Sequence, residues 1–538
     1  MDLLLCSKLV RKQRIFSVLT CLLILTSISP KIALYAKNSS SHNVDIYTTI
    51  SNEAFGGYNL FVLERCSSQG LIPKNRTLLI TDLEGNIYLS REFGDKANLD
   101  FFGDEFINST TLLYGDETGA KLWNIETNYT QELSMYGHHD YERNYANNTY
   151  FAISKYVINI EGNDYLFDVI REYLEDGTVI WQLDTRDFVS HEQWCPYHDM
   201  VETARDITHT NTVFYDEDED VIYICCRTLN TIYKIDHKTK NVIWSLGEYG
   251  DFRLFDKYGK EIDVMFYHAH ALEKINLDTF VIFDNDEHNQ TNNIHKHSRL
   301  LEFKIDTDRM FANITWDWIG SEDYFTGWYG DCDVLPNNNR LGVFGTPWHP
   351  GTSIGARLVE VNHAGDKVWE MDFDKEGLDC FAVYKIERFH FAPIVSEPKL
   401  TDLGTNGSLV EWDVWYNFRS KTTFQGRYYI SVNDELVETG NIDFPKYWQP
   451  KHISYQINET DSDIEQISLV VEDEGGHFSN ESDRYSSTGK LVFNFDSKLG
   501  LILGLTIGLG VPVLIGIIAI LWIKTGLKKL ILRKNKST

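Results

Sequence analysis

Ile232-Tyr-Lys-Ile-Asp236-His-Lys-Thr-Lys-Asn-Val-Ile-Trp244 decides the fold. Apolar and polar residues alternate up to Asp236, a polar turn follows, and a second apolar run closes on tryptophan, which is the pattern of a β-hairpin. The same phrase stands at Ile170-Arg-Glu-Tyr-Leu-Glu-Asp-Gly-Thr-Val-Ile-Trp181, at Leu301-Glu-Phe-Lys-Ile-Asp306 to Ile314-Thr-Trp316, and at Leu358-Val-Glu-Val-Asn362-His-Ala-Gly365-Asp-Lys-Val-Trp369. A fainter copy ends at Trp123. Spacings of 63, 72 and 53 residues between the last four tryptophans exceed the roughly 40 to 50 of a lean four-stranded blade, so some repeats carry insertions. One hairpin cannot bury both faces, whereas radial stacking of several buries them and hides the edges. The spacing therefore predicts an all-β propeller of about six blades over residues 40–395, with the tryptophans packed between adjacent sheets. A sandwich or a β-solenoid is the alternative, but solenoid repeats are shorter and more regular.

The repeat stops after Arg388. Short strands at Ser408 to Tyr416, Gly426 to Val432 and Ile467 to Val471 predict a small immunoglobulin- or fibronectin-like β-sandwich over residues 396–496, expected to space the propeller from a membrane. Both ends of the chain support that placement. Lys8, Arg11, Lys12 and Arg14 precede an apolar run from Ile15 to Ile28 and the small residue Ala36, the order of a secretory signal over residues 1–36. Leu499 to Ile523 is uncharged and long enough to form a single C-terminal transmembrane helix. Lys524, Lys528, Lys529, Arg533, Lys534 and Lys536 follow it, so residues 524–538 read as a cytosolic tail. The expectation is a single-pass type I membrane glycoprotein with its body outside the cell or in the secretory lumen. Glycosylation sequons at Asn38, Asn75, Asn108, Asn128, Asn147, Asn289, Asn313, Asn406, Asn458 and Asn480 agree with that side.

Removing the +4 of residues 1–36 and the +6 of the tail from the net charge of −29 leaves the body near −39, which argues against a nucleic-acid partner. Solvation of a secreted surface is the expected use of that charge. Cys66, Cys195, Cys225, Cys226, Cys332 and Cys380 allow three disulfides in an oxidising compartment, among 15 connectivities. The acidic turn from Asp216 to Asp220 reads as a solvated loop rather than a calcium site.

Between Asp206 and Asp286, histidines, an arginine and asparagines interrupt strand-like text. His209, Arg227 and His270 fall near predicted strand ends in successive repeats, and a propeller brings such ends to a common axis. The pattern Thr208-His209-Thr-Asn211-Thr-Val-Phe-Tyr-Asp216, Ile224-Cys-Cys-Arg227-Thr-Leu-Asn230, Ile235-Asp236 and Trp244-Ser-Leu-Gly247 resembles the arylsulfotransferases that work without the nucleotide donor PAPS. His270-Ala, Val281-Ile-Phe-Asp284-Asn285, Ser298-Arg299-Leu-Leu-Glu302, Gly330-Asp-Cys-Asp333-Val-Leu-Pro336 and Ala356-Arg357-Leu-Val-Glu360 extend the resemblance over residues 130 to 395.

The resemblance implies a six-bladed propeller in which a central histidine, matching His270, takes a sulfuryl group from an aryl sulfate and gives it to a phenol. It matches His209, Asn211 and Arg227 to the residues that hold the sulfate, and His138-His139-Asp140 to a further histidine of the family. It implies no cofactor. The residue types suit such chemistry, because Arg227 offers a planar charged donor fork and a neutral imidazole is a nucleophile without a partner base. His268, two residues before His270, would share its face on a regular strand, so either could attack sulfur. The segment Tyr324-Phe-Thr326-Gly-Trp328-Tyr329 departs from the family and is expected to reshape the acceptor pocket. His268 with His270, and His295 with His297, could instead chelate a metal. The alternative function is a non-catalytic propeller ectodomain acting as a receptor or adhesion module.

Overall fold

A computed structural model describes residues 46–492, apart from 68–69, 94–101, 117, 194, 196–202, 287–296, 322–323, 346–354, 374–379, 405–406, 458–465, 481–483 and 486–490. The signal sequence (1–36), the membrane segment (499–523), the basic tail (524–538), His295 and the sequons at Asn38, Asn289, Asn406 and Asn458 lie outside the described residues. Among the described residues no helix is long and apolar enough to cross a membrane. Their regular structure is mainly antiparallel sheet, with parallel pairings of Arg205–Asp206 on Asn163–Tyr173 and of Arg253–Phe255 on Phe311–Ile319, and a few single-turn 3₁₀ segments.

Six antiparallel sheets succeed one another along the chain. Their innermost strands are Cys380–Phe389, Phe102–Asn108, Tyr141–Asn144, Thr210–Asp216, His270–Lys274 and Asp331–Val334. Each touches the next in that order, and Asp331–Val334 touches Cys380–Phe389 again. The two ends of this region interlock: Cys380–Phe389 pairs with Tyr58–Ser67 in the first sheet, while Ile46–Ile50 is the outer strand of the sixth, on Lys367–Phe373.

The tryptophan-terminated repeats are the outer hairpins of these sheets. Trp181, Trp316 and Trp369 each donate an indole N–H to a carbonyl in the outer turn of the following sheet, at His237 (2.8 Å), His363 (3.0 Å) and Leu83 (2.9 Å). The tryptophan thus fills the gap between sheets and satisfies its own polar atom there. Trp123 differs, lying on the third strand of its sheet with its N–H on Asn128.

Residues 394–492 form two further sheets, as the strand text predicts, but they are more than a spacer. One buried cluster runs from Leu60, Phe106 and Trp123 of the first two sheets into Val410, Trp412, Ile430 and Leu469. Arg419 pairs with Glu273, and Lys421 pairs with Glu105 (2.8 Å) and Glu142. His477 bridges Asp473 and Glu126, at 2.8 and 2.9 Å.

The acidic turn is exposed at Asp218, Glu219 and Asp220, as expected of a solvated loop, and it is also ion-paired: Asp216 and Glu219 hold Lys274, and Glu217 and Asp218 hold Lys446. Cys195, Cys225, Cys226 and Cys332 are buried free thiols, while Cys66 stands opposite Cys380 in strand register. Burial pushes the Cys225 thiol up to about 12. Of the sequons, Asn128, Asn147 and Asn480 are exposed, whereas Asn313 is half-buried between two paired strands.

Candidate active site

Three of the inner strands begin at candidate histidines. His139 lies two residues before Tyr141–Asn144, His209 immediately precedes Thr210–Asp216, and His270 opens His270–Lys274. His139 (φ 65°) and His209 (φ 42°) adopt the left-handed conformation, which costs a side-chain-bearing residue free energy and concentrates at functional sites. Local hydrogen bonds link the segments. The Arg227 N–H donates to His209 O (3.2 Å), the His268 N–H to Asn230 Oδ1 (2.7 Å), and Asn211 Nδ2 to Ala269 O (2.7 Å).

Asn211 therefore tethers the His270 segment. At His268 a φ of 51° breaks the strand before His270, and its Nε2 lies 3.4 Å from Cys195 Sγ. This leaves His270 as the candidate nucleophile. Among the described residues no group of three His, Cys, Asp or Glu could hold a metal ion.

His270 Nδ1 is 2.7 Å from Asn285 Oδ1. Asn285 directs its amide N–H donors to Thr326 O (2.9 Å) and Tyr329 O (2.8 Å), so the atom facing His270 is its carbonyl oxygen and His270 Nδ1 must donate. The lone pair of the neutral ring is then on Nε2. Burial holds His270 well below the usual histidine range, and the Arg227 guanidinium pushes it the same way. Arg227 is itself buried, with Nη2 donating to Gly327 O at 2.9 Å.

The segment expected to reshape an acceptor pocket is thus a buckle: Thr326, Gly327 and Tyr329 offer carbonyls to Asn285 and Arg227. Gly330 makes its turn possible, since its φ is 139° and a Cβ there would lie 2.2 Å from the Phe283 ring.

The histidines His138, His139 and His209 form one row. His138 Nδ1 is 2.7 Å from His139 Nδ1, and His139 Nε2 is 3.1 Å from His209 Nε2. Carboxylates close both ends, Asp168 on His138 Nε2 (3.1 Å) and Asp206 on His209 Nδ1 (2.6 Å). Burial, then the neighbouring histidines, hold His139 well below the usual range. Tyr384 stacks edge-on against His139, His270 and Tyr329, with centroids 6.1, 6.0 and 5.0 Å away. Burial, and then Asp140, keep its phenol protonated, well above the usual tyrosine range.

Sequence reasoning finds His139, His209, Arg227 and His270 but misses Asp168, Asp206, Asn285 and Tyr384. A signal for Asp206 lies in its place three residues from His209, and one for Asn285 in its Asp-Asn pair. Nothing local marks Asp168 or Tyr384.

The arrangement is a buried imidazole whose Nδ1 is committed to Asn285, a guanidinium charge acting on it and a hydrogen-bonded histidine row, a set suited to moving an anionic group. Several solved structures match this chain at low similarity. Hydrazine synthase of Kuenenia stuttgartiensis is 12% identical with a TM-score of 0.21 over 60% of this chain, which spans 62% of that protein. The periplasmic gluconolactonase PpgL of Pseudomonas aeruginosa is 9% identical, with a TM-score of 0.33 over 73% of this chain and 99% of its own. A hypothetical selenium-binding protein of Sulfolobus tokodaii is 10% identical, with a TM-score of 0.32 over 80% and 96%. No curated protein matches the sequence significantly. The family profile described as Arylsulfotransferase (ASST) matches residues 73–385, more than half of the chain and all of the site above, so this protein belongs to the arylsulfotransferase family.

Proposed function

We propose that the six sheets are the blades of one propeller and that its axial site transfers a sulfuryl group from an aryl sulfate to a phenol through a sulfohistidine at His270. The observation that carries this reading is the hydrogen bond to Asn285, which leaves the His270 lone pair on Nε2 of a ring that feels the Arg227 charge. That nitrogen attacks sulfur, the S–O bond to the aryl group breaks, and the N–S bond forms. The guanidinium of Arg227 balances charge spread over the sulfuryl oxygens. The departing phenolate has a conjugate acid of pKa about 10, so a proton from His139 or His209 lowers the barrier. An acceptor phenol then returns that proton as its oxygen takes the sulfuryl group from His270.

The test is transfer from a chromogenic aryl sulfate to a phenol by the purified protein. Wild type should release the chromophore and sulfate the phenol, His270→Ala should do neither, and a sulfated peptide should carry His270. No transfer by wild type across a broad donor panel would favour a binding ectodomain instead. The charge asymmetry of the two ends further supports an ectodomain held at a membrane of the secretory pathway, which protease protection of intact vesicles would check.

A further inference from the structure

The row from Asp168 to Asp206 contains four hydrogen bonds, and each needs one proton between its two heavy atoms. Asp168 is an acceptor: its Oδ2 receives the Thr208 hydroxyl (2.7 Å) and the Thr210 N–H (2.6 Å), while the Thr208 hydroxyl itself receives the Asp168 N–H (3.2 Å). With both carboxylates ionised, three neutral imidazoles bring only three protons. The fully bonded row therefore holds a fourth.

We propose that this fourth proton lies between His139 Nε2 and His209 Nε2 and is the one exchanged with the phenolic oxygen, and that His138 with Asp168 is a positioning arm for it rather than a substrate contact. The inference rests on the sulfuryl-transfer reading above and adds the identity of the acid and of the groups that aim it.

Protons balance over the cycle. When the aryl S–O bond breaks and the oxygen takes the central proton, the other three bonds keep one proton each. Asp168 then accepts from His138 Nε2–H, His138 Nδ1 accepts from His139 Nδ1–H, and Asp206 accepts from His209 Nδ1–H. All three rings are neutral, and two Nε2 lone pairs face each other across 3.1 Å. That is the base the acceptor phenol needs, so its O–H refills the gap while its oxygen attacks sulfur. Removing His138 would free His139 to carry its proton on Nε2 and would spoil both states.

Burial opposes charge on His139 itself. Arg227 and His270 face the row from across the site, Lys155 from the strand Thr149–Ile160, and Asp140 and Tyr384 from beside His139.

Aryl sulfates with leaving groups of graded acidity test the arm. In His138→Phe, kcat/KM for phenyl sulfate should fall by about 100-fold, the scale of lost general acid catalysis, while a nitrophenyl sulfate should lose less than about threefold. His138→Gln, whose side-chain carbonyl can accept from His139 Nδ1–H, should restore most of the phenyl sulfate rate. An equal loss for every donor, in a variant with unchanged thermal unfolding, would overturn the proposal. ¹⁵N spectra of the histidine rings separate this failure from failure of the enzymatic reading, because they need no turnover. Wild type should show His139 protonated at Nδ1 and a shared proton on His209, and His138→Phe should show His139 protonated at Nε2. A wild-type row with three ring protons would also overturn it.

Discussion

At His270, the candidate nucleophile, one neighbouring side chain fixes which ring nitrogen carries the proton. Asn285 fixes the proton on Nδ1, and burial with the Arg227 charge keeps the ring neutral well below the ordinary histidine range. Protonation would remove the lone pair, so the acidic limb of kcat/KM is expected below a pH of about 6.5. Asn285→Leu removes an acceptor that favours the protonated ring, so this limb should move further toward acid. The same change frees the ring to place its proton on Nε2, and kcat should fall about 10- to 100-fold with little change in KM. Steady-state rates across pH check both effects. Unchanged kcat with an unmoved limb would mean that something other than Asn285 sets the tautomer.

The element that presents His270 is not a regular strand. The pairing of His270–Lys274 with Thr279–Asp284 slips between His270 and Glu273, and His268 (φ 51°) and Ala271 (φ 53°) bracket the candidate nucleophile in left-handed conformations. A β-branched side chain is poorly tolerated there, so Ala271→Val should destabilise the fold by about 1–3 kcal/mol, read by calorimetry, while Ala271→Gly should stay close to wild type. This bulge was not legible in the sequence. The two-residue periodicity that puts His268 and His270 on one face assumes a continuous strand, and no glycine at 268 or 271 signals the break. The outer hairpins were legible because Trp181, Trp244, Trp316 and Trp369 repeat in a fixed local frame. The interlocking of the ends was not, since Tyr58–Ser67 finds Cys380–Phe389 across more than 300 residues and neither strand names its partner. For the same reason His209, Arg227 and His270 could be read from short motifs, whereas Asp168 and Tyr384 join them only through the assembled sheets.

Across the whole molecule the inner strands carry two functions in series. Histidines stand at their beginnings, and carboxylates follow further along the same strands: Glu142 after His139, Glu273 after His270, with Glu105 on the neighbouring inner strand. Charge that reads in the sequence as solvation is partly buried here, and the cations that meet it come from Arg419 and Lys421 in the segment before the C-terminal sheets. The C-terminal region is therefore part of the charge balance of the six-sheet body as well as of its apolar core. Lys421→Met tests this, because it leaves Glu105 and Glu142 buried without their ammonium partner. Loss of one partner of a buried pair costs about 3–5 kcal/mol, so urea unfolding at neutral pH should shift by that amount. Burial raises Glu142 well above the usual carboxylate range even beside Lys421, and losing the cation raises it further. A carboxylate with a folded pKa above its unfolded value binds more protons when folded, so lowering the pH favours the folded variant. The deficit of Lys421→Met should accordingly narrow toward acid and be largest at neutral pH. A shift within about 0.5 kcal/mol that is flat with pH would mean that water, rather than the C-terminal region, balances these carboxylates.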